Sequence, residues 1–181
     1  ICVIAAGLLA TVNRFTGPKI IAAALSEEQA ALKEVMPLAV KFAIVKSDTD
    51  EVLYYKAFDR QDKLMGFVFK ASGKGYSSVI ETLTGIFLDE TISAIKIISL
   101  NETPGLGMRV TEDKFMGQFN HQNSLDLSSV EAIAGATISS RAVINSVMKK
   151  AQEIKELIKD DLSSSAQGYA EEIEGRSKHD K

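Results

Sequence analysis

The chain has 181 residues, 45% of them hydrophobic, which is material for one ordinary globular domain with length to spare at its ends. A net charge of −3, the absence of tryptophan and the lack of any basic stripe leave no basis for a nucleic-acid partner. A single cysteine, Cys2, excludes an intramolecular disulfide and a thiolate cluster built by this chain alone, and the two histidines, His121 and His179, lack partners at the spacings of a zinc motif or a catalytic triad, so chemistry is expected from a bound cofactor.

Taken in chain order, Ile1–Val12 (ICVIAAGLLATV) is free of charge. As a helix it is about 18 Å long, short of the roughly 20 residues a membrane span needs. The chain opens on Ile rather than Met, which fits the C-terminal part of a single transmembrane helix over residues 1–17. A signal peptide fits less well, because Asn13, Arg14 and Phe15 follow where a small-residue cleavage site belongs; a buried core helix is the third reading. A folded domain is expected over 18–162. Lys19–Val35 has helical character, with Ser26-Glu27-Glu28-Gln29 as a cap-like start to its second half and Pro37 as its stop. Glu51–Phe58 and Lys63–Lys70 read as strands joined at Asp59–Asp62. A Gly/Ser loop at Ser72–Ser78 leads to a third strand, Val79–Leu88, and a turn at Asp89–Thr91 leads to a fourth, Ile92–Leu100. Thr111–Phe119 resembles a short helix with an acidic first turn, and Ser139–Ile158 is amphipathic, with Val143, Val147, Ile154 and Leu157 on one face. The fold class is therefore α+β: an antiparallel sheet of four strands flanked by helices. Ser163–Lys181 is polar and poor in branched aliphatics, so a disordered tail is expected there.

Two stretches have unusual local chemistry. In Glu131–Ser140 (EAIAGATISS), Gly135 and Ala136 let another group approach the backbone, Thr137 offers a hydroxyl, and Ser139 and Ser140 suit helix capping. A helix start leaves unpaired N–H groups and partial positive charge, which suits an anion, and Arg141 lies one turn in. The same residues are also an ordinary way to begin a helix. In Glu102–Gly107 (ETPGLG), Pro104 stiffens the loop and Gly105 and Gly107 allow turns around Leu106. That leucine either faces outward against a flat ligand or plugs the core.

These motifs carry a resemblance. Gly73–Ser77 (GKGYS), the strand pair around TGIFLDETISAIKIIS, ETPGLG at Glu102–Gly107, AGATISSRAV at Ala134–Val143 and TGPKI at Thr16–Ile20 are similar, in order and spacing, to the FMN-binding domain family. Within it the chain resembles the G subunits of Rnf-type ion-translocating oxidoreductases, which are related to the C subunits of sodium-pumping NADH:quinone reductases. The resemblance implies that Thr137 carries one FMN through a phosphoester, attached by a separate flavin transferase. It implies that Gly135, Ala136, Ser139 and Ser140 form the phosphate turn and that Glu102, Thr103, Gly105, Leu106 and Gly107 line the isoalloxazine, with Tyr76 at the pocket wall. Met65 is a weaker wall candidate whose core packing comes first, and Lys74 is a solvated loop residue. Where the family motif usually has Asp, and Ser or Thr before the Gly, this chain has Glu131 and Ala134.

The implied function is electron relay inside a complex that couples electron flow between ferredoxin and NAD to ion movement. Its implied partners are the other membrane and peripheral subunits, membrane lipid and the flavin transferase. The implied location is the cell (inner) membrane, with the domain on the outer side. The alternative is a membrane-anchored ligand-binding or structural module without a redox role. A free-standing flavin reductase would need a nicotinamide site, and no Gly-x-Gly-x-x-Gly fingerprint follows a strand.

Overall fold

The computed structural model describes residues 26–177, with side chains through Lys159. Among these residues five strands form one antiparallel meander in the order β1-β2-β3-β4-β5. They are β1 (Lys41–Lys46), β2 (Val52–Phe58), β3 (Leu64–Lys74), β4 (Val79–Phe87) and β5 (Ile92–Ser99). Helix α1, described over 26–35, lies on one face, and α3 (Thr137–Ser177) lies on the other. Between β5 and α3 come two 3-10 turns, Gly107–Thr111 and Gly117–Phe119, on either side of the short helix α2 (Asp113–Met116).

Strand alternation sorts the side chains into two cores. On the α3 face, Tyr54, Phe67, Phe69, Ile80 and Ile95 meet Val143, Val147 and Ile154. On the α1 face, Tyr55, Val68 and Leu83 meet Leu32, Val35 and Met36. The Phe67-Val68-Phe69 run is buried on both faces because β3 is the middle strand, covered by a helix on each side. The Tyr55 hydroxyl donates to the Glu28 carboxylate, which pins α1 to the sheet. Burial and then that carboxylate push the phenol's pKa up.

Helix α3 crosses β3 closely. A Cβ on Gly73 would sit 2.3 Å from the Ala142 carbonyl oxygen, so only glycine allows the helix this near. This close approach accompanies a third strand that continues to Lys74, where a loop from Ser72 was expected.

The expectation of four strands needs correction, because β1 precedes them at the sheet edge. It pairs with β2 from Lys41↔Phe58 to Lys46↔Val52. Its residues are mostly exposed or half-buried, so its alternation of apolar and polar residues is weak. The expected helix at Thr111–Phe119 breaks into the short pieces above. The last helix starts at Thr137 rather than Ser139 and continues to Ser177, across most of the expected tail. The Ala, Glu and Gln of that stretch are strong helix formers, so its low apolar content did not exclude a helix. Among the described residues no helix is long and apolar enough to cross a membrane. The expected transmembrane segment at 1–17 lies outside the described residues.

Candidate functional site

Three segments meet at the N-terminal end of α3: the β3–β4 turn at 75–78, the loop 102–107 and the turn 133–136. A cavity of about 370 Å³ lies between them. Tyr76, Glu102, Thr103, Leu106 and Gly107 line one side, and Gly135, Ala136, Thr137, Ile138 and Ser139 line the other. Of the residues predicted for the site, Gly105 and Ser140 are not in this lining, Gly105 being exposed at the turn of its loop and Ser140 buried, and Met65 packs in the core on the α1 face.

The loop after β5 is closed by two bonds to the Thr103 carbonyl, from the Leu106 and Met108 N–H groups, each 3.2 Å. Gly105 turns it with φ of +74°. Leu106 faces outward, 49% exposed, so it does not plug the core. It leans over the opposite turn: a Cβ on Gly135 would lie 3.5 Å from Leu106 Cδ2.

That turn is held from inside. Gly135 has φ of +82°, a conformation costly for any residue with a Cβ. The Ser140 hydroxyl is fully buried; it accepts the Ile133 N–H at 3.1 Å and donates to the Ala136 carbonyl at 2.9 Å. Upstream, the Gln118 side-chain amide grips both backbone groups of Glu131, at 2.9 and 3.3 Å.

The helix start itself is bare. Ala136 occupies the N-cap position, where Ser, Thr, Asp or Asn would normally accept a hydrogen bond from the first turn. Ser139 and Ser140, expected as caps, sit inside the first turn, and their hydroxyls donate to Glu102 and Ala136 instead. Among the described residues none accepts a hydrogen bond from the N–H of Thr137, Ile138 or Ser139. Three unpaired donors at the positive end of a helix suit an anion, and Thr137 is exposed on the same turn.

Among the described residues, Glu102 alone brings a charge to the cavity wall, and it is 4% exposed. Its Oε1 accepts the N–H groups of Ser77 (2.9 Å) and Ser78 (2.8 Å) and the Ser78 hydroxyl (3.3 Å). Its Oε2 accepts the Ser139 hydroxyl (2.8 Å) and the Tyr76 N–H (3.3 Å). Burial acts to raise its pKa, but these bonds, that of Ser139 foremost, outweigh burial and hold the carboxyl below its ordinary value.

Sequence reasoning missed Ile138, an apolar residue 56% exposed beside Thr137, and missed Ser77 and Ser78 as partners of Glu102. Their signal is faint: an exposed apolar residue in a helix's first turn, and serines at a hairpin tip. A larger cavity of about 580 Å³ lies on the α1 face near Tyr55 and Lys96, but it has neither the bare helix start nor the glycine turns. No cluster of metal-binding side chains occurs among the described residues.

Comparison with known proteins places these features in a family. A sequence model described as the FMN-binding domain matches residues 75–152, a stretch that holds all three cavity segments. The G subunit of the ion-translocating oxidoreductase complex of Methanosarcina acetivorans is 34% identical, with 81% of this chain and 85% of that protein covered. The G subunit of the proton-translocating ferredoxin:NAD(+) oxidoreductase complex of Clostridium ljungdahlii is 28% identical, covering 84% of this chain and 85% of that one. The crystal structure of NqrC from Shewanella oneidensis superposes with a TM-score of 0.49 at 22% identity, over 63% of this chain and 66% of that chain.

Proposed function

The chain belongs to the family of G subunits of ion-translocating oxidoreductase complexes, and we propose that it relays electrons in such a complex through one FMN esterified to Thr137. The observation that carries this reading is the bare start of α3: three unpaired N–H groups with an exposed threonine hydroxyl among them, beside a partly apolar cavity. A phosphate held there meets donors and dipole without needing a cation, and no described Lys or Arg lines the cavity.

The residues present suit FMN. A cavity of about 370 Å³ falls at the small end of ligand sites, which span roughly 300–1,000 Å³, so part of the cofactor would stay in the open mouth. Tyr76, Leu106 and Ile138 supply apolar surface at that mouth, and each is about half exposed or more. FMN, when bound, supplies both one- and two-electron chemistry. The protein's part is to hold and orient. Thr137 is the anchor. Gly135 and Ala136 form the turn over the phosphate, and Ser140 keeps that turn in shape. Glu102, Thr103, Leu106 and Gly107 form the wall toward the ring, with Ser139 across from them, and Gly105 turns the loop that carries Leu106. A covalent tether keeps the cofactor at a site too open to retain it by enclosure.

In this reading an anchor within residues 1–17 holds the domain to the cell membrane, facing the outer side. The other subunits of the complex are its electron partners, and a flavin transferase is its maturation partner. The test is co-expression of wild type and Thr137→Ala with a flavin transferase, followed by a denaturing gel viewed under ultraviolet light. Wild type fluoresces and Thr137→Ala, still folded, is dark. Fluorescence of equal strength in both would move the attachment elsewhere, and a dark wild type would remove it.

A further inference from the structure

Glu102 carries a feature that loop geometry alone does not need. Its carboxylate is buried, receives five hydrogen bonds and has no cation within salt-bridge distance among the described residues. Neutral donors satisfy its lone pairs but leave its full negative charge in place. The surroundings are shaped to it. A Cβ on Gly75 would come 2.6 Å from Oε1, and a Cβ on Gly107 would come 2.5 Å from Oε2 and 2.8 Å from Ser139 Oγ. Two glycines thus clear the space for the carboxylate. The Asn101 N–H also donates to Ser78 Oγ at 2.8 Å, which ties the hairpin tip to the same strand end.

The group therefore joins three parts of the site: the hairpin tip that carries Tyr76, the loop that carries Leu106, and the first turn of the helix that carries Thr137. It also gives the cavity a fixed polarity. One end has the unpaired donors of α3, and the wall has a buried anion with no described cation beside it, whose charge is screened less than that of a surface carboxylate.

We infer that Glu102 is a positioning residue with a second, electrostatic role, in which its fixed negative charge lowers the reduction potential of the flavin bound beside it. This rests on the FMN reading. Reduction adds one electron or two to the bound ring, and an adjacent anion disfavours every form richer in negative charge. The lowered pKa of Glu102 keeps that anion charged throughout the neutral range.

The two roles can be separated. In Glu102→Gln the amide oxygen still accepts the Ser77 and Ser78 N–H groups. The amide nitrogen donates to the Ser139 hydroxyl, which can accept, and only the long bond from Tyr76 is lost. The charge goes and the brace stays. In Glu102→Ala both go. The experiment uses the full chain, matured with its transferase and purified in detergent. The midpoint potential of the bound flavin is read spectroscopically, and amide hydrogen exchange at Ser77 and Ser78 is read with and without flavin.

Glu102→Gln is expected to shift the potential positive at pH 7 while leaving exchange at the two amides near wild type. Glu102→Ala is expected to speed that exchange by about tenfold or more. A flavin-loaded Glu102→Gln with an unchanged or more negative potential overturns the inference and leaves the FMN reading intact. Unchanged exchange in Glu102→Ala overturns the brace. A wild type that never acquires flavin removes the FMN reading and this inference with it.

Discussion

Replacing Ser140 by alanine tests how the acceptor turn is held. The hydroxyl is fully buried and makes two bonds, accepting the Ile133 N–H and donating to the Ala136 carbonyl. Alanine removes both without introducing bulk. The Ile133 N–H is half-buried and loses its partner, and an unsatisfied buried donor costs about 1–3 kcal/mol. The Ala136 carbonyl keeps the bond from the Ser140 N–H at 2.9 Å, so it adds little. The expected loss is about 2 kcal/mol. For a chain of this size that is a fall of roughly 4–8 °C in Tm. Ser146→Ala is the matched control. Its hydroxyl only returns to the Val143 carbonyl one turn back on a half-buried face, so its loss should stay within about 0.5 kcal/mol. Urea unfolding of the two variants beside wild type reads the difference directly. Flavin loading by the transferase reads its consequence, because a loosened 133–136 turn presents Thr137 less uniformly. If Ser140→Ala were as stable as Ser146→Ala, the hydroxyl would not be holding the turn.

Two further outcomes follow from the same structure. Gly73→Ala forces a methyl group into the Ala142 carbonyl, 2.3 Å from where its carbon must sit, so helix and strand must part. Stability should fall by about 1–3 kcal/mol in thermal unfolding, and a neutral effect would mean that α3 does not cross β3 so closely. The second concerns acid. The folded pKa of Glu102 is depressed below its ordinary value of 4.5, so its contribution to stability is complete above that value and is lost as pH falls through the folded pKa. Wild type should lose stability more steeply than Glu102→Gln below about pH 4.5. The turn carboxylates Asp89 and Asp126 are held low by bonds centred on Thr91 and Ser128 and add the same slope to both proteins. Parallel acid-unfolding curves would contradict the buried network around Glu102.

Much of the architecture was legible in the sequence because alternation and helical period are local. The strands containing Tyr54–Tyr55, Phe67–Phe69 and Ile92–Ile95 declare themselves by branched and aromatic residues between turn signals. Strand β1 does not, since an edge strand with little burial has no strong pattern to show. The two loops that form the cavity were also visible as motifs, because glycines at Gly105 and Gly135 serve backbone conformations that side chains resist. What could not be read locally was how the motifs meet. Glu102 bonds to residues 24 to 37 positions away. Nothing in ETPGLG says that its carboxylate turns inward to brace a hairpin rather than outward to a ligand. The serines of GATISS read as caps because they are good caps. Only the structure puts Ala136 at the cap position and leaves three donors of the next turn free.

The central claim is that the Thr137 hydroxyl is esterified. Intact-mass spectrometry of the protein taken from its native membrane, followed by mapping of the peptide that spans residues 131–141, tests it most directly. The account predicts a mass above that of the polypeptide by one FMN less one water, with the adduct on Thr137. A native protein whose mass is that of its amino acids alone, or an adduct on any other residue, would contradict it.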